Sequence, residues 1–83
     1  MDWDDLRIFL AVARAESLSG AGRRLAMDAS TVGRRIARLE ASVGAALFLK
    51  TPGGYQLTAE GSRLMAPAEA AERAATAAAA SAG

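Results

Sequence analysis

The chain has 83 residues, room for one domain, and its 52% hydrophobic content places it among folded globular chains. It contains no cysteine and no histidine, which excludes disulfide frameworks, zinc sites built on those ligands, thiol nucleophiles and imidazole bases. The net charge of +1 is unevenly spread: residues 1–16 carry −2, residues 17–50 carry +4 and residues 51–83 carry −1. The positive middle third holds Arg23, Arg24, Arg34, Arg35, Arg38 and Lys50 against Asp28 and Glu40, the footprint of a polyanion partner. No apolar run approaches the roughly 18–20 residues that span a bilayer, so no membrane role is expected. The acidic start MDWDDL is unlike a secretory signal, and the expected location is the cytoplasm, with the nucleoid.

In chain order, Trp3, Leu6, Phe9, Leu10 and Ala13 recur at helical spacing and predict a first helix over about residues 3–15. Asp2 is placed to cap it, and Asp4 and Asp5 sit where the dipole favours acids. Adjacent helical residues point about 100° apart, so Asp4 and Asp5 cannot flank one bond as an acid/base pair. Ser19 is expected to cap a second helix ending near Leu25, with Leu18, Ala21 and Leu25 inward. After Ala26–Met27–Asp28, a third helix capped by Asp28 carries the apolar stripe Val32, Ile36, Leu39 and Val43 and ends at Gly44. Leu47–Leu49 and Tyr55–Leu57 read as two strands about a Pro52–Gly53 turn. Thr58 caps a last helix containing Leu64 and Met65, alanine-dominated from Ala66 to Ala82, which Pro67 is expected to interrupt and bend.

The fold class is therefore mainly α: a winged helix-turn-helix with a three-helix core and a two-stranded β wing, followed by a long C-terminal helix. Its informative part is the third helix. With Val32 at zero on a wheel of about 100° per residue, Ser30, Thr31, Arg34 and Arg38 fall opposite the apolar stripe and Arg35 on the flank. A helix fits the major groove, and outward arginines can reach guanine O6 and N7. Arg34 is expected to read a base and Arg38 to hold phosphate. Lys50 and Thr51 beside Gly53 and Gly54 bring the wing tip close to a backbone or minor groove. Arg23 and Arg24 are either phosphate contacts or simply solvated. Trp3, Phe9 and Phe48 read as core, and Tyr55 as either wing packing or a phosphate contact. The PGGY stretch lacks the Lys-Ser/Thr and the strand-to-helix setting of a nucleotide-binding loop.

Three stretches, DLRIFLAVA, SLSGAGRRLAMDASTVGRRIARLE and VGAALFLKTPGGYQLTAEG, resemble the DNA-binding domain of LysR-type transcriptional regulators over essentially the whole chain. The resemblance implies that residues 1–57 form the DNA-binding domain and residues 58–83 a linker and dimerisation helix. It also implies a homodimer on a pseudo-palindromic duplex, paired through a helix face that includes Leu64, Met65, Ala68, Ala71 and Ala75. A small-molecule effector would bind only a further domain outside this chain. The recognition helix would begin near Ala29, with contacts from Ala29, Ser30, Thr31, Gly33, Arg34, Arg35 and Arg38, and from Lys50, Thr51 and Gly53 on the wing. Three positions depart from the family pattern. Ala29 lacks the usual long amide, Gly33 replaces a common serine and Gly53 a common wing arginine, which moves weight onto Ser30, Thr31, Arg34 and Arg35. Gly22 and Gly33 each cost a helix about 1 kcal/mol relative to alanine. Gly33 would allow close approach to DNA and Gly22 would ease packing between the two motif helices. No cofactor and no catalysis are expected. The rival readings are a winged helix that meets an acidic protein and a non-specific architectural DNA binder.

Overall fold

The computed structural model describes residues 1–82. Its first helix, α1 (Trp3–Ala15), opens on a reciprocal cap: Asp2 accepts from the Asp5 amide, and the Asp5 carboxylate accepts from the Asp2 amide. Ile8, Phe9, Leu10, Ala11 and Val12 are all buried, five consecutive residues covering the whole circumference. A helix buried all round must be central, and α1 packs against every other helix and the hairpin.

The second helix, α2 (Leu18–Leu25), is capped by Ser17, which accepts from the Gly20 amide at 2.8 Å, rather than by Ser19. Leu18 thereby enters the helix and packs against the core. The third, α3 (Ala29–Val43), has the expected bounds, with Gly44 in the left-handed C-cap (φ 75°). Asp28 occupies its N-cap position but makes no side-chain cap bond. Val32, Ile36 and Leu39 are buried, whereas Val43 is 39% exposed, so the stripe serves the core for two turns and then leaves it.

The strands β1 (Phe48–Thr51) and β2 (Gly54–Leu57) form an antiparallel hairpin in the register Phe48↔Leu57, Leu49↔Gln56, Lys50↔Tyr55, Thr51↔Gly54. Three anchors fix it. The Glu40 carboxylate accepts from the Leu47 and Phe48 amides at 2.7 and 3.2 Å. The Tyr55 amide donates to the Glu16 carbonyl at 2.9 Å, and Gly54 (φ 119°) lies so close to that carbonyl that a Cβ would collide with it. The Thr58 amide donates to the Leu47 carbonyl at 3.0 Å, while the Thr58 hydroxyl accepts from Gly61 at 3.0 Å and caps the last helix as expected.

That helix, α4 (Ala59–Ala82), runs through Pro67 without a break, contrary to the expected interruption. Proline forfeits one hydrogen bond, but its alanine-rich surroundings keep helix propensity high and the next residue, Ala68, is fully buried. Leu64 and Met65 also pack on the core, and Arg14 of α1 grips Glu72 through two bonds of 2.7 Å. Of the residues expected on the pairing face, the structure withdraws Ala68. Ala68 is spent inside its own chain, Leu64 and Met65 are partly so, and Ala71 and Ala75 are half-buried. The physical reason is that α1, apolar all round, needs α4 as a cover.

Candidate nucleic-acid interface

The junction between α2 and α3 is three residues, Ala26–Met27–Asp28. Ala26 adopts the left-handed region (φ 55°), and the Met27 amide donates to the Gly22 carbonyl at 2.9 Å. A Cβ on Gly22 would run into the Met27 carbonyl oxygen, so this glycine serves the tight exit from α2 rather than helix–helix packing. Gly22, Arg23, Ala26, Met27, Asp28 and Thr31 line a shallow concavity there. Asp28 makes no cap bond, so neither the Ser30 nor the Thr31 amide is taken by it, and the first turn of α3 retains free donors.

The front of α3 carries Ser30, Arg34 and Arg38, all exposed, with Thr31 at its edge. The Arg34 guanidinium donates to the Thr31 hydroxyl at 3.2 Å, which lays it along the helix. Among the described residues, Arg23, Arg24, Arg34, Arg38 and Lys50 make no ion pair, so five of the six cations in residues 17–50 are uncommitted. Unpaired guanidinium groups on a convex helix face can meet an anion without first giving up a partner.

The sixth is Arg35, expected among the contacts to nucleic acid, which the structure holds in an ion pair with α1. Its Nη2 donates to Asp4 at 2.7 Å and to Asp5 at 3.4 Å, and its side chain is 25% exposed. The hydrogen bond to Asp4 holds the guanidinium above its ordinary range, and Asp4 is held below the usual carboxylate range, first by Arg7 and then by Arg35. At Gly33 a Cβ would point at the Leu18 side chain of α2, 3.2 Å away, so the missing side chain gives room to the neighbouring helix. Ala29 is half-buried and offers only a methyl group.

On the wing, Lys50 and Gly53 are exposed. The Thr51 hydroxyl is occupied within the turn, donating to the Gly54 carbonyl at 2.9 Å and accepting from Gly53 at 3.2 Å, so it shapes the tip. Tyr55 packs edge-on against Phe48, with ring centroids 6.4 Å apart, so its ring belongs to the wing packing. Sequence reasoning passed over Glu40, Glu16 and the Arg14–Glu72 pair. Each depends on a partner in another element, which helical periodicity does not reveal.

A model of the family described as "Bacterial regulatory helix-turn-helix protein, lysR family" matches residues 3–62. The chain is similar to the Mau operon transcriptional activator of Paracoccus denitrificans, 39% identical over 77 residues, covering 93% of this chain and 27% of that protein. It thus spans about a quarter of that relative's length. Among solved structures it is similar to a complex of the CbnR DNA-binding domain with DNA, at TM-score 0.80 and 31% identity, covering all of both chains. The OxyR C206 mutant of Corynebacterium glutamicum shares the fold at TM-score 0.92 and 21% identity, over 98% of this chain and 26% of that one. No helix among the described residues is long and apolar enough to cross a membrane.

Proposed function

The chain belongs to the lysR family of bacterial regulatory helix-turn-helix proteins, and we propose on that premise that it binds double-stranded DNA in a sequence-dependent way. The observation that carries this reading is the state of α3. Its back is anchored by Val32, Ile36 and Leu39, and its front presents Arg34 and Arg38, which have no ion-pair partner among the described residues. Arg34, nearer the helix start, reads a base edge in the major groove; Arg38 and Lys50 hold phosphate, aided by the open amides before Val32. Ser30 and Thr31 supply hydroxyls, and Gly53 lets the wing tip approach the backbone. The solved complex of the CbnR DNA-binding domain with DNA, similar over the whole chain, supports the reading that this chain binds DNA.

Residues 1–57 make the DNA-contacting unit, and residues 58–83 a linker segment whose helix α4 shares the core through its first turns. A homodimer on a two-fold duplex, paired through the parts of α4 left accessible in the single chain, fits this plan. The chain positions a regulator at a promoter in the cytoplasm and performs no reaction; an effector acts on a further domain. Selection from a random duplex library tests the reading. Enrichment of a defined motif is expected, and equal binding of every duplex at physiological salt would favour a non-specific binder. A protein complex insensitive to competing DNA would favour the protein-docking alternative.

A further inference from the structure

Arg34 and Arg35 are neighbours in sequence, yet one faces outward and the other reaches back to α1. The Arg35 guanidinium spans from the flank of α3 to the first turn of α1, bonding Asp4 at 2.7 Å and Asp5 at 3.4 Å. Its Nε is buried without a hydrogen-bond partner, so the side chain is packed into place rather than draped over the surface. Asp4 is fixed in turn by Arg7, which donates through Nη2 at 2.8 Å and through Nε at 3.1 Å. Asp5 is fixed by its part in the α1 cap.

The apolar residues behind α3 resist its departure from the core, but hydrophobic contacts are non-directional and constrain its rotation weakly. Rotation matters for a reading head. Turning a helix by about 10° moves groups about 6 Å from its axis by about 1 Å, whereas recognition groups must sit within roughly 0.5 Å and 10–20°. A short charge-assisted bond on the helix flank supplies the missing directional restraint. We propose that the Asp4–Arg35 pair is a positioning device: it sets the rotation of α3 about its own axis, and so the aim of Arg34, without Arg35 touching nucleic acid. This inference rests on the reading that α3 docks on DNA. The contrary use of Arg35, release from Asp4 to grip a phosphate, has the opposite sign for Asp4.

The test uses the 83-residue chain, the duplex that the unaltered protein enriches from a random library, and a scrambled duplex of equal length. Asp4→Asn, Arg35→Gln and the double variant are titrated over a range of salt, with thermal unfolding run on each. Positioning predicts that either single variant weakens binding to the enriched duplex about 3- to 10-fold while the scrambled duplex is held as before, and that the double variant loses no more than the worse single. It also predicts an unchanged salt slope for Arg35→Gln. Tighter binding by Asp4→Asn, an unaltered ratio of enriched to scrambled affinity, or a slope reduced by about one unit in Arg35→Gln would overturn it. Should Arg35→Gln prove unfolded, Asp4→Asn, a change at a half-exposed carboxylate, decides alone by its sign. Enrichment of no duplex by the unaltered protein would instead overturn the DNA reading beneath.

Discussion

The front of α3 and the seam between α1 and α4 are built with the same side chain and put it to opposite uses. On the front, Arg34 and Arg38 make no ion pair among the described residues; at the seam, Arg14 is held by both oxygens of Glu72, with Glu69 at 4.0 Å. An arginine already saturated by a carboxylate must break that pair before meeting an external anion, whereas an unpaired one sheds only water. The difference assigns the seam to holding the fold and the front to meeting a ligand. Arg35 stands between them, on the helix of the front but bonded to α1 as the seam is.

If the division is right, substitutions behind α3 change stability and those on its front change binding. Phe9→Ala empties the centre of the core, where Phe9 is fully buried against Phe48 at 5.4 Å, and should cost about 3–5 kcal/mol in urea unfolding. Gly22→Ala forces a Cβ into the Met27 carbonyl and should cost about 1–3 kcal/mol, with specific binding impaired because the α2–α3 angle shifts. Arg34→Ala should leave unfolding within about 0.5 kcal/mol yet remove about 1–3 kcal/mol of binding and blur one base preference. If it lost affinity equally on selected and scrambled duplexes, Arg34 would be a phosphate contact. Lys50→Ala should weaken all duplexes alike and lower the salt slope by about one unit.

The smallest effect concerns the seam at low pH. The bond from Arg14 depresses the Glu72 carboxyl, and the bonds from Arg7 and Arg35 depress that of Asp4. A carboxyl lowered in the folded state stabilises above its unfolded value, near 4, and that contribution is lost as pH falls through the folded value. Acid unfolding of Glu72→Gln, followed by far-ultraviolet circular dichroism, should therefore depend less steeply on pH below about 4 than that of the unaltered chain.

The parts of this division that were legible in the sequence are those written as local periodicity. Val32, Ile36 and Leu39 mark the back of α3 at helical spacing, and Arg34 and Arg38 follow as its front. The Pro52–Gly53 turn and the Gly44 cap were legible for the same reason, since the residue type and the local conformation are one fact. Arg35 was not, because a helical wheel places it on a flank without saying what stands there, and Asp4 lies 31 residues earlier. Nor was Ala68: in an alanine-rich helix every face looks alike, and only α1 decides which is covered. Ser17 and Ser19 offer the same hydroxyl, and the choice fell to the first because it draws Leu18 into the helix and onto the core.

Guanine N7 lies in the major groove, so methylation there reports directly on what enters it. Methylation interference on the selected duplex, with the unaltered chain and with Arg34→Ala, tests the central claim that the front of α3 reads base edges. The account predicts a guanine whose N7 methylation blocks binding of the unaltered chain and no longer discriminates against the variant. An interference pattern identical in both, or one confined to the minor groove, would contradict it.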